Sequence, residues 1–212
     1  MAKRADPSGV SMNQDDVEIL EKIEVFRGYF RVDRYRLRHR LFRGGWSDEM
    51  TREVFERGHA AAVLPYDPIR DEVVMIEQFR VGAYASGRPP WLFEIVAGII
   101  EEGETAEDVV IREAVEEANC QISDLIPIAH YLASPGAVSE TIAIYCARVD
   151  ASGAGGIFGQ PHEHEDIKVV VMPFSETVKL LEARKIDNAT ALITLQWLAL
   201  NRDKVRRQWG AG

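Results

Sequence analysis

The sequence predicts an α/β fold: a mixed sheet sandwiched by helices, preceded by a small antiparallel β domain. Two observations carry this. Apolar runs of strand length recur through residues 59–98, 127–150 and 167–173, and helical periodicity appears near 105–119 and again from 175 to the end. The order strands, helix, strands, helices is not the regular βα alternation of a doubly wound sheet, so mixed strand directions are expected.

In chain order, residues 1–16, MAKRADPSGVSMNQDD, lack an apolar h-region and are expected to be a disordered tail rather than a signal peptide. From 17 to 57, VEILEKIEVFRG, YFRVDRYRLRHRL and TREVFER alternate weakly and are expected to pair as an N-terminal β domain, leaving 58–212 as the main domain. HAAAVLPYD and EVVMIEQFR are strands joined by the turn DPIRD, and WLFEIVAG is a third strand ending at Gly98. PIAHYLAS and SETIAIYCARVD flank the turn SPGAV. The sixteen residues ASGAGGIFGQPHEHED have no periodicity, and a loop of that length inside a domain usually marks function or disorder. IKVVVMP is a strand, and SETVKLLEARK and NATALITLQWLALNRDKVRRQ are helices, with Ser175, Glu176 and Asn188 as start signals.

Composition narrows the function. The 212 residues are 46% apolar and carry a net charge of −9. Such an acidic chain is poorly suited to grip nucleic acid through its phosphates, so an anionic ligand must meet local arginines or metal cations. Two cysteines, Cys120 and Cys146, make no disulfide scaffold, and a reduced, cytoplasmic protein is expected. No apolar run approaches the roughly 18 residues of a membrane span, so no membrane partner is expected.

The chemistry concentrates in GIIEEGETAEDVVIREAVEEANC, residues 98–120. Thr105 and Asp108 have capping-box spacing. Ala106, Val109, Val110, Ala114, Val115 and Ala118 can form the buried face, leaving Arg112, Glu113, Glu116 and Glu117 on the other. Glu113 and Glu117 lie one turn apart. Like charges at this spacing destabilise an isolated helix by a few tenths of a kcal/mol, and late in a helix the dipole opposes them as well. A Glu cluster is most often a solvated face, but a divalent cation with a taste for oxygen ligands would also account for it.

The wider spacing favours the cation. Gly98, Glu104, Arg112, Glu113, Glu116 and Glu117 stand in register with the Nudix box, G-x5-E-x7-R-E-U-x-E-E-x-G-U, where U is apolar. Asn119 replaces the second glycine, a left-handed C-cap position that Asn tolerates next best. Beyond the box, RLRHRLF, REVFERGHAAAVLPYDPIRDEVVMIEQFR, WLFEIVAGIIEEGE, LASPG, EDI and KIDNA extend the likeness over about 17–210. The chain resembles the Nudix hydrolases, in particular their bacterial ADP-ribose pyrophosphatase branch. Pro135, sixteen residues beyond Asn119, stands where the resemblance associates a proline with ADP-ribose.

The resemblance implies an α/β/α sandwich, a homodimer with its N-terminal domain exchanged or packed across the two-fold, and Mg²⁺-dependent hydrolysis of ADP-ribose to AMP and ribose 5-phosphate, with Mn²⁺ as a substitute. It implies that the Ala97 carbonyl, Glu113, Glu117 and Glu165 bind metal, with Glu116 close by and Arg112 orienting the glutamates. Tyr29 and Phe30 would lie near adenine. Arg52, Glu53, Arg57 and Arg80 would line the nucleotide and diphosphate. Ser134, Pro135, Gly136 and Glu140 would contact the terminal ribose. Glu163 falls at the position of the catalytic base. The histidines beside it, His162 and His164, lack the further ligands that a zinc site needs. Two other functions keep the fold: a pyrophosphatase for another nucleoside diphosphate sugar, or an ADP-ribose-binding regulator without catalysis.

Overall fold

The structure, a computed structural model, describes residues 12–160 and 164–211. Strands β1 (Val17–Arg27), β2 (Arg31–His39) and β3 (Met50–Glu56) form an antiparallel sheet in the order β1-β2-β3. Their weak alternation has a physical cause. The many arginines pair across strands, as in Arg34 with Glu53 at 2.8 Å and Arg38 with Glu18 at 2.7 Å, instead of marking a single solvent face. Asp33 is buried and meets Lys22 at 3.0 Å and Arg31 at 2.9 Å. Of the expected tail, residues 12–16 carry a single 3₁₀ turn with a capping box between Asn13 and Asp16; residues 1–11 lie outside the described residues.

The second sheet is built from β4 (Ala60–Asp67), β5 (Glu72–Phe79), β6 (Trp91–Glu94), β7 (Val96–Ile99), β8 (Ser123–Leu132), β9 (Thr141–Arg148), β10 (Gly156–Phe158) and β11 (Ile167–Pro173). Its order is β10-β11-β5-β4-β9-β8, with β6 on β5 and β7 on β4. β4 and β9 are parallel, whereas β5 is antiparallel to β11, so the sheet is mixed as expected. β4 and β5 pair directly only near their shared turn, at Tyr66 with Val73 and Asp67 with Glu72. Beyond it they part, and the segment 91–99 fills the gap, pairing with β5 up to Glu94 and with β4 from Val96.

Among the described residues the helices are α1 (Val81–Ala85), α2 (Ala106–Glu116), α3 (Phe174–Glu182) and α4 (Ala189–Gln208). Ala61 and Val63 pack in one core with Val109, Val110 and Ala114 of α2, while Ala62, Leu64 and Tyr66 pack in another with Phe174 of α3 and Leu195 and Leu198 of α4. Burial on both faces is why β4 reads as an unbroken apolar run. Each fully buried Leu contributes about 1.5–3 kcal/mol to this packing. Among the described residues, no helix is long and apolar enough to cross a membrane. The chain divides into two units: one runs up to Gly58 and includes Leu132–Glu140, and the other comprises His59–Tyr131 and the chain from Thr141 onward.

Several local expectations are corrected. Helix α1 is a five-residue turn, too short for periodicity to reveal. WLFEIVAG is two strands, because it changes partners at Ile95. The stretch expected to lack structure holds a 3₁₀ turn at Ala151–Gly153 and the edge strand β10, which exists through pairing with β11. Ser175 is not a cap: α3 begins at Phe174 behind Pro173, which supplies no side-chain bond. Asn188 does cap α4, accepting from the Ala191 N–H at 2.9 Å.

Candidate active site

Helix α2 starts where the sequence predicts. Thr105 Oγ1 accepts from the Asp108 N–H at 3.2 Å, and Asp108 Oδ2 accepts from the Thr105 N–H at 3.0 Å. It ends at Glu116 with Glu117 as its C-cap, and the turn that follows reverses at Asn119, whose φ of 50° is the left-handed conformation expected there. The Asn119 and Cys120 N–H groups donate to Val115 O and Ala114 O at 3.0 and 2.8 Å. Asn thus does the work of the missing glycine, at the modest cost of a Cβ in that region.

The buried face of α2 differs from expectation. Val115 is 40% exposed, and Glu117 is 2% exposed. The arc through Val110 and Ala114 continues to Glu117 and Ala118, with Glu113 at its margin, so the helix turns carboxylates, not Val115, toward the sheet. Arg112 organises them. Its Nε and Nη2 form a fork on Glu104 at 3.0 and 3.1 Å, while Nη1 donates to Glu113 at 2.7 Å and to Glu116 at 3.2 Å. The fork on Glu104, ahead of the other two carboxylates, holds the guanidinium above its ordinary pKa.

Gly98 makes room for Glu113. A Cβ added at Gly98 would lie 2.6 Å from Glu113 Cγ and closer still to its carboxylate. Beside it, the Ala97 N–H donates to Glu117 at 3.0 Å. Burial pushes Glu113 up to about 7 despite Arg112, with Glu116 and Glu165 adding to the rise. Glu117 lies well above the usual carboxylate range, first because it is buried and then because of Glu113 and Glu165; the Ala97 N–H and Arg80 only partly offset this. Glu165 is clasped to Gln160: the Gln160 N–H donates to its carboxylate at 3.0 Å, and the Glu165 N–H donates to Gln160 O at 3.3 Å. Arg80 forks onto Glu94, with Nη2 and Nε at 2.8 and 3.1 Å from Oε2. Glu163 and His162 lie outside the described residues; His164 is exposed.

The remaining candidates lie within the N-terminal unit. Arg57 pairs with the buried Glu140 at 3.3 Å and lies over the Phe30 ring at 5.5 Å. Phe30 packs edge-on with Phe55 and with Tyr29, which is 88% exposed. The loop holding Ser134, Pro135 and Gly136 is tied to β3: the Phe55 N–H donates to Ala137 O at 2.8 Å, and Ser139 bonds Glu56. Arg52 is turned to the carbonyl of Thr51 at 2.7 Å, and Glu53 is engaged by Arg34.

A NUDIX domain model matches residues 56–193. The chain belongs to the NUDIX family. It is 50% identical to the ADP-ribose pyrophosphatase of Escherichia coli (strain K12), over 94% of this chain and 96% of that one. It is 42% identical to the ADP-ribose pyrophosphatase of Haemophilus influenzae, over 93% and 92% of the two chains. The GDP-mannose pyrophosphatase of Cronobacter sakazakii is 36% identical over 70% of this chain and 78% of its own. The crystal structure of an ADP compounds hydrolase shares the fold, with a TM-score of 0.63 at 20% identity over 89% of this chain and 97% of that one.

Nudix hydrolases generally use a divalent metal, and the donor set here fits one. Glu117 is a buried oxygen donor and Glu113 a partly buried one whose pairing with Arg112 does not offset its desolvation, and Gly98 leaves the space that Glu113 occupies. Among the described residues the carboxylates do not close into a group of three, so the fit is one of donor type and charge. Three residues of this Nudix site were not assigned roles from sequence: Glu104, Glu94 and Gln78, whose amide donates to Glu94 at 3.3 Å. Glu94 did carry a signal, as the one charge in the apolar run WLFEIVAG.

Proposed function

We propose that this chain hydrolyses the diphosphate bond of ADP-ribose, giving AMP and ribose 5-phosphate, with Mg²⁺ as its ordinary cofactor and Mn²⁺ as a substitute. The observation that carries this is the arrangement of α2: Arg112 gathers Glu104, Glu113 and Glu116 while Glu117 is buried against Ala97. Identity of 50% and 42% over nearly the whole chain to relatives named ADP-ribose pyrophosphatases supports the substrate.

In this reading the Ala97 carbonyl, Glu113, Glu117 and Glu165 hold the cation, with Glu116 close by. When bound there, a divalent cation would offset charge on the diphosphate oxygens and polarise the phosphoryl group. Arg112 keeps the glutamates oriented through charge-assisted hydrogen bonds. Arg80, Arg52 and Arg57 meet the anionic substrate, with Glu53 beside them. Tyr29 and Phe30 offer ring faces to adenine. Ser134, Pro135, Gly136 and Glu140 meet the terminal ribose, and the Arg57–Glu140 pair fixes one side of that contact. Glu163 takes the proton from the attacking water as its oxygen bonds to the adenosyl phosphorus; the bridging P–O bond breaks and ribose 5-phosphate leaves. Glu163→Gln is expected to lower turnover by about 10²–10⁴, the usual contribution of a general base, with ADP-ribose affinity nearly unchanged. Turnover close to that of the unmodified protein would remove Glu163 from this role.

The same proposal includes a cytoplasmic homodimer. Exposed Val17, Ile19, Ile23, Val25 and Phe26 along β1 supply an apolar strip for a second copy. Light scattering that gives a single-chain mass at micromolar concentration would exclude the dimer.

The test of function is a panel of ADP-ribose, ADP-glucose and GDP-mannose with Mg²⁺, run in ¹⁸O-water with product identification. ADP-ribose is expected to be turned over fastest, with label in AMP. A preference for GDP-mannose would favour the second reading, which the 36%-identical GDP-mannose pyrophosphatase supports. Tight ADP-ribose binding without turnover of any substrate would make the chain a regulator.

A further inference from the structure

Arg80 has two claims on its charge. Glu94 holds it by hydrogen bonds, with Nη2 at 2.8 Å and Nε at 3.1 Å from Oε2 and Nε at 3.3 Å from Oε1. Glu94 is itself anchored. Its side chain is 13% exposed, and the amide of Gln78, a residue 6% exposed on the neighbouring strand β5, donates to it at 3.3 Å. Glu117 and Glu165 also feel the Arg80 charge: burial works against that charge, but the bonds to Glu94, then its charge, and then Glu117 and Glu165 together raise the Arg80 pKa.

A guanidinium free to turn would be drawn to buried carboxylates short of positive charge. Glu117 is such a group, with one backbone N–H as its hydrogen-bond partner among the described residues. An arginine paired there would compete with a cation for the same oxygens. The fork on Glu94 uses Nε and Nη2 and leaves Nη1 without a hydrogen-bond partner among the described residues, available to face an anionic ligand.

We infer that Glu94 is a positioning residue that holds the Arg80 guanidinium away from Glu117 and Glu165, keeping those carboxylates free for a divalent cation. This rests on the metal-binding role proposed for Glu113, Glu117 and Glu165. It differs from a simple electrostatic contribution of Glu94 because the effect runs through Arg80.

Mn²⁺ binding to the full chain without nucleotide, measured by calorimetry, separates these ideas. Glu94→Gln is expected to weaken Mn²⁺ binding about tenfold or more, the scale of one charge-assisted bond redirected. Arg80→Ala in the Glu94→Gln background is expected to restore binding to within about threefold of Arg80→Ala alone, as the cycle of mutants requires if Arg80 carries the effect. Unchanged binding in Glu94→Gln overturns the inference. So does a double variant as weak as Glu94→Gln, which would mean that Glu94 acts by its own charge. No Mn²⁺ binding by the unmodified chain overturns the metal reading, and this inference with it. Should Glu94→Gln fail to fold, Gln78→Ala loosens the same carboxylate; it is expected to weaken Mn²⁺ binding by a smaller factor, and no change there overturns the inference.

Discussion

Replacing Gly98 with alanine tests whether the placement of Glu113 matters to the chemistry. The new Cβ would lie 2.6 Å from Glu113 Cγ, whereas ordinary contact begins near 3.4 Å. Cγ must therefore retreat by about 0.8 Å, and the carboxylate, which is closer still, by about 1 Å or more. The colliding atoms belong to a flexible side chain, so the backbone has no need to move. Gly98 is in β7, where Ala costs no strand propensity relative to Gly. The fold should survive with a melting temperature within a few degrees of the original. Glu113 should lose its 2.7 Å bond to Arg112 and, with it, the position proposed for it as a metal ligand. A misplacement of about 1 Å at a reacting centre can cost about 10²-fold, or about 2.7 kcal/mol of transition-state stabilisation. Steady-state ADP-ribose hydrolysis at saturating Mg²⁺, with a thermal melt of the same sample, gives both numbers. Gly98→Ala combined with Glu113→Gln should be little worse than Glu113→Gln alone, since both act on one carboxylate. Turnover within about threefold of the original, in a protein that melts normally, would refute the reasoning.

Two further outcomes follow from the same geometry. The folded-state pKa of Glu113 is raised to about 7 from an ordinary carboxylate value, so its contribution to stability is present below about 4.5 and is lost as pH rises through about 7. The metal-free protein should therefore melt lower at pH 8 than at pH 5.5 on this account, and the gain in melting temperature from Mg²⁺ should be larger at pH 8. A gain independent of pH would contradict it. Thr105→Ala removes the α2 capping box and should cost about 1 kcal/mol, within the usual 0.5–2 kcal/mol, in urea unfolding without abolishing hydrolysis.

What was legible in the sequence were the features with a strong local cause. The start and end of α2 are set by Thr105, Asp108 and Asn119, and all three hold the geometry that their side chains dictate. The apolar runs of β4 and β9 are buried on both faces and cannot be mistaken for loops. Features created by a distant partner were not legible. β10 is a strand because β11 lies beside it, and Gly156 has no strand preference of its own. The face of α2 was misassigned at Val115 and Glu117 because periodicity assumes that carboxylates seek water. Glu117 does not: it is buried beside the Ala97 N–H, and that exception is where sequence-level rules are expected to fail at a functional site. The Arg80–Glu94 fork joins the residue just past β5 to the last residue of β6, fourteen positions on, so neither side chain announces the other.

The segment 91–99 explains why these pieces stay in register. By pairing with β5 as far as Glu94 and with β4 from Val96, it carries the anchor of Arg80 on one strand pair and the Ala97–Gly98 cradle on the next, with only Ile95 and Val96 between. Ile95 is 1% exposed and packs in the core on the α3–α4 side, so the switch of partners is fixed by burial. A site held by loops could let Arg80 and Glu117 drift together. Here their supports, Glu94 and Ala97, lie three positions apart on one segment that pairs first with β5 and then with β4, the kind of rigid element that holds a constellation within about 0.5 Å. On the reading proposed above, the separation of Arg80 from the carboxylates assigned to the cation follows from the same hydrogen bonds that build the sheet. Disturbing Glu94 is the way to change it without disturbing the fold.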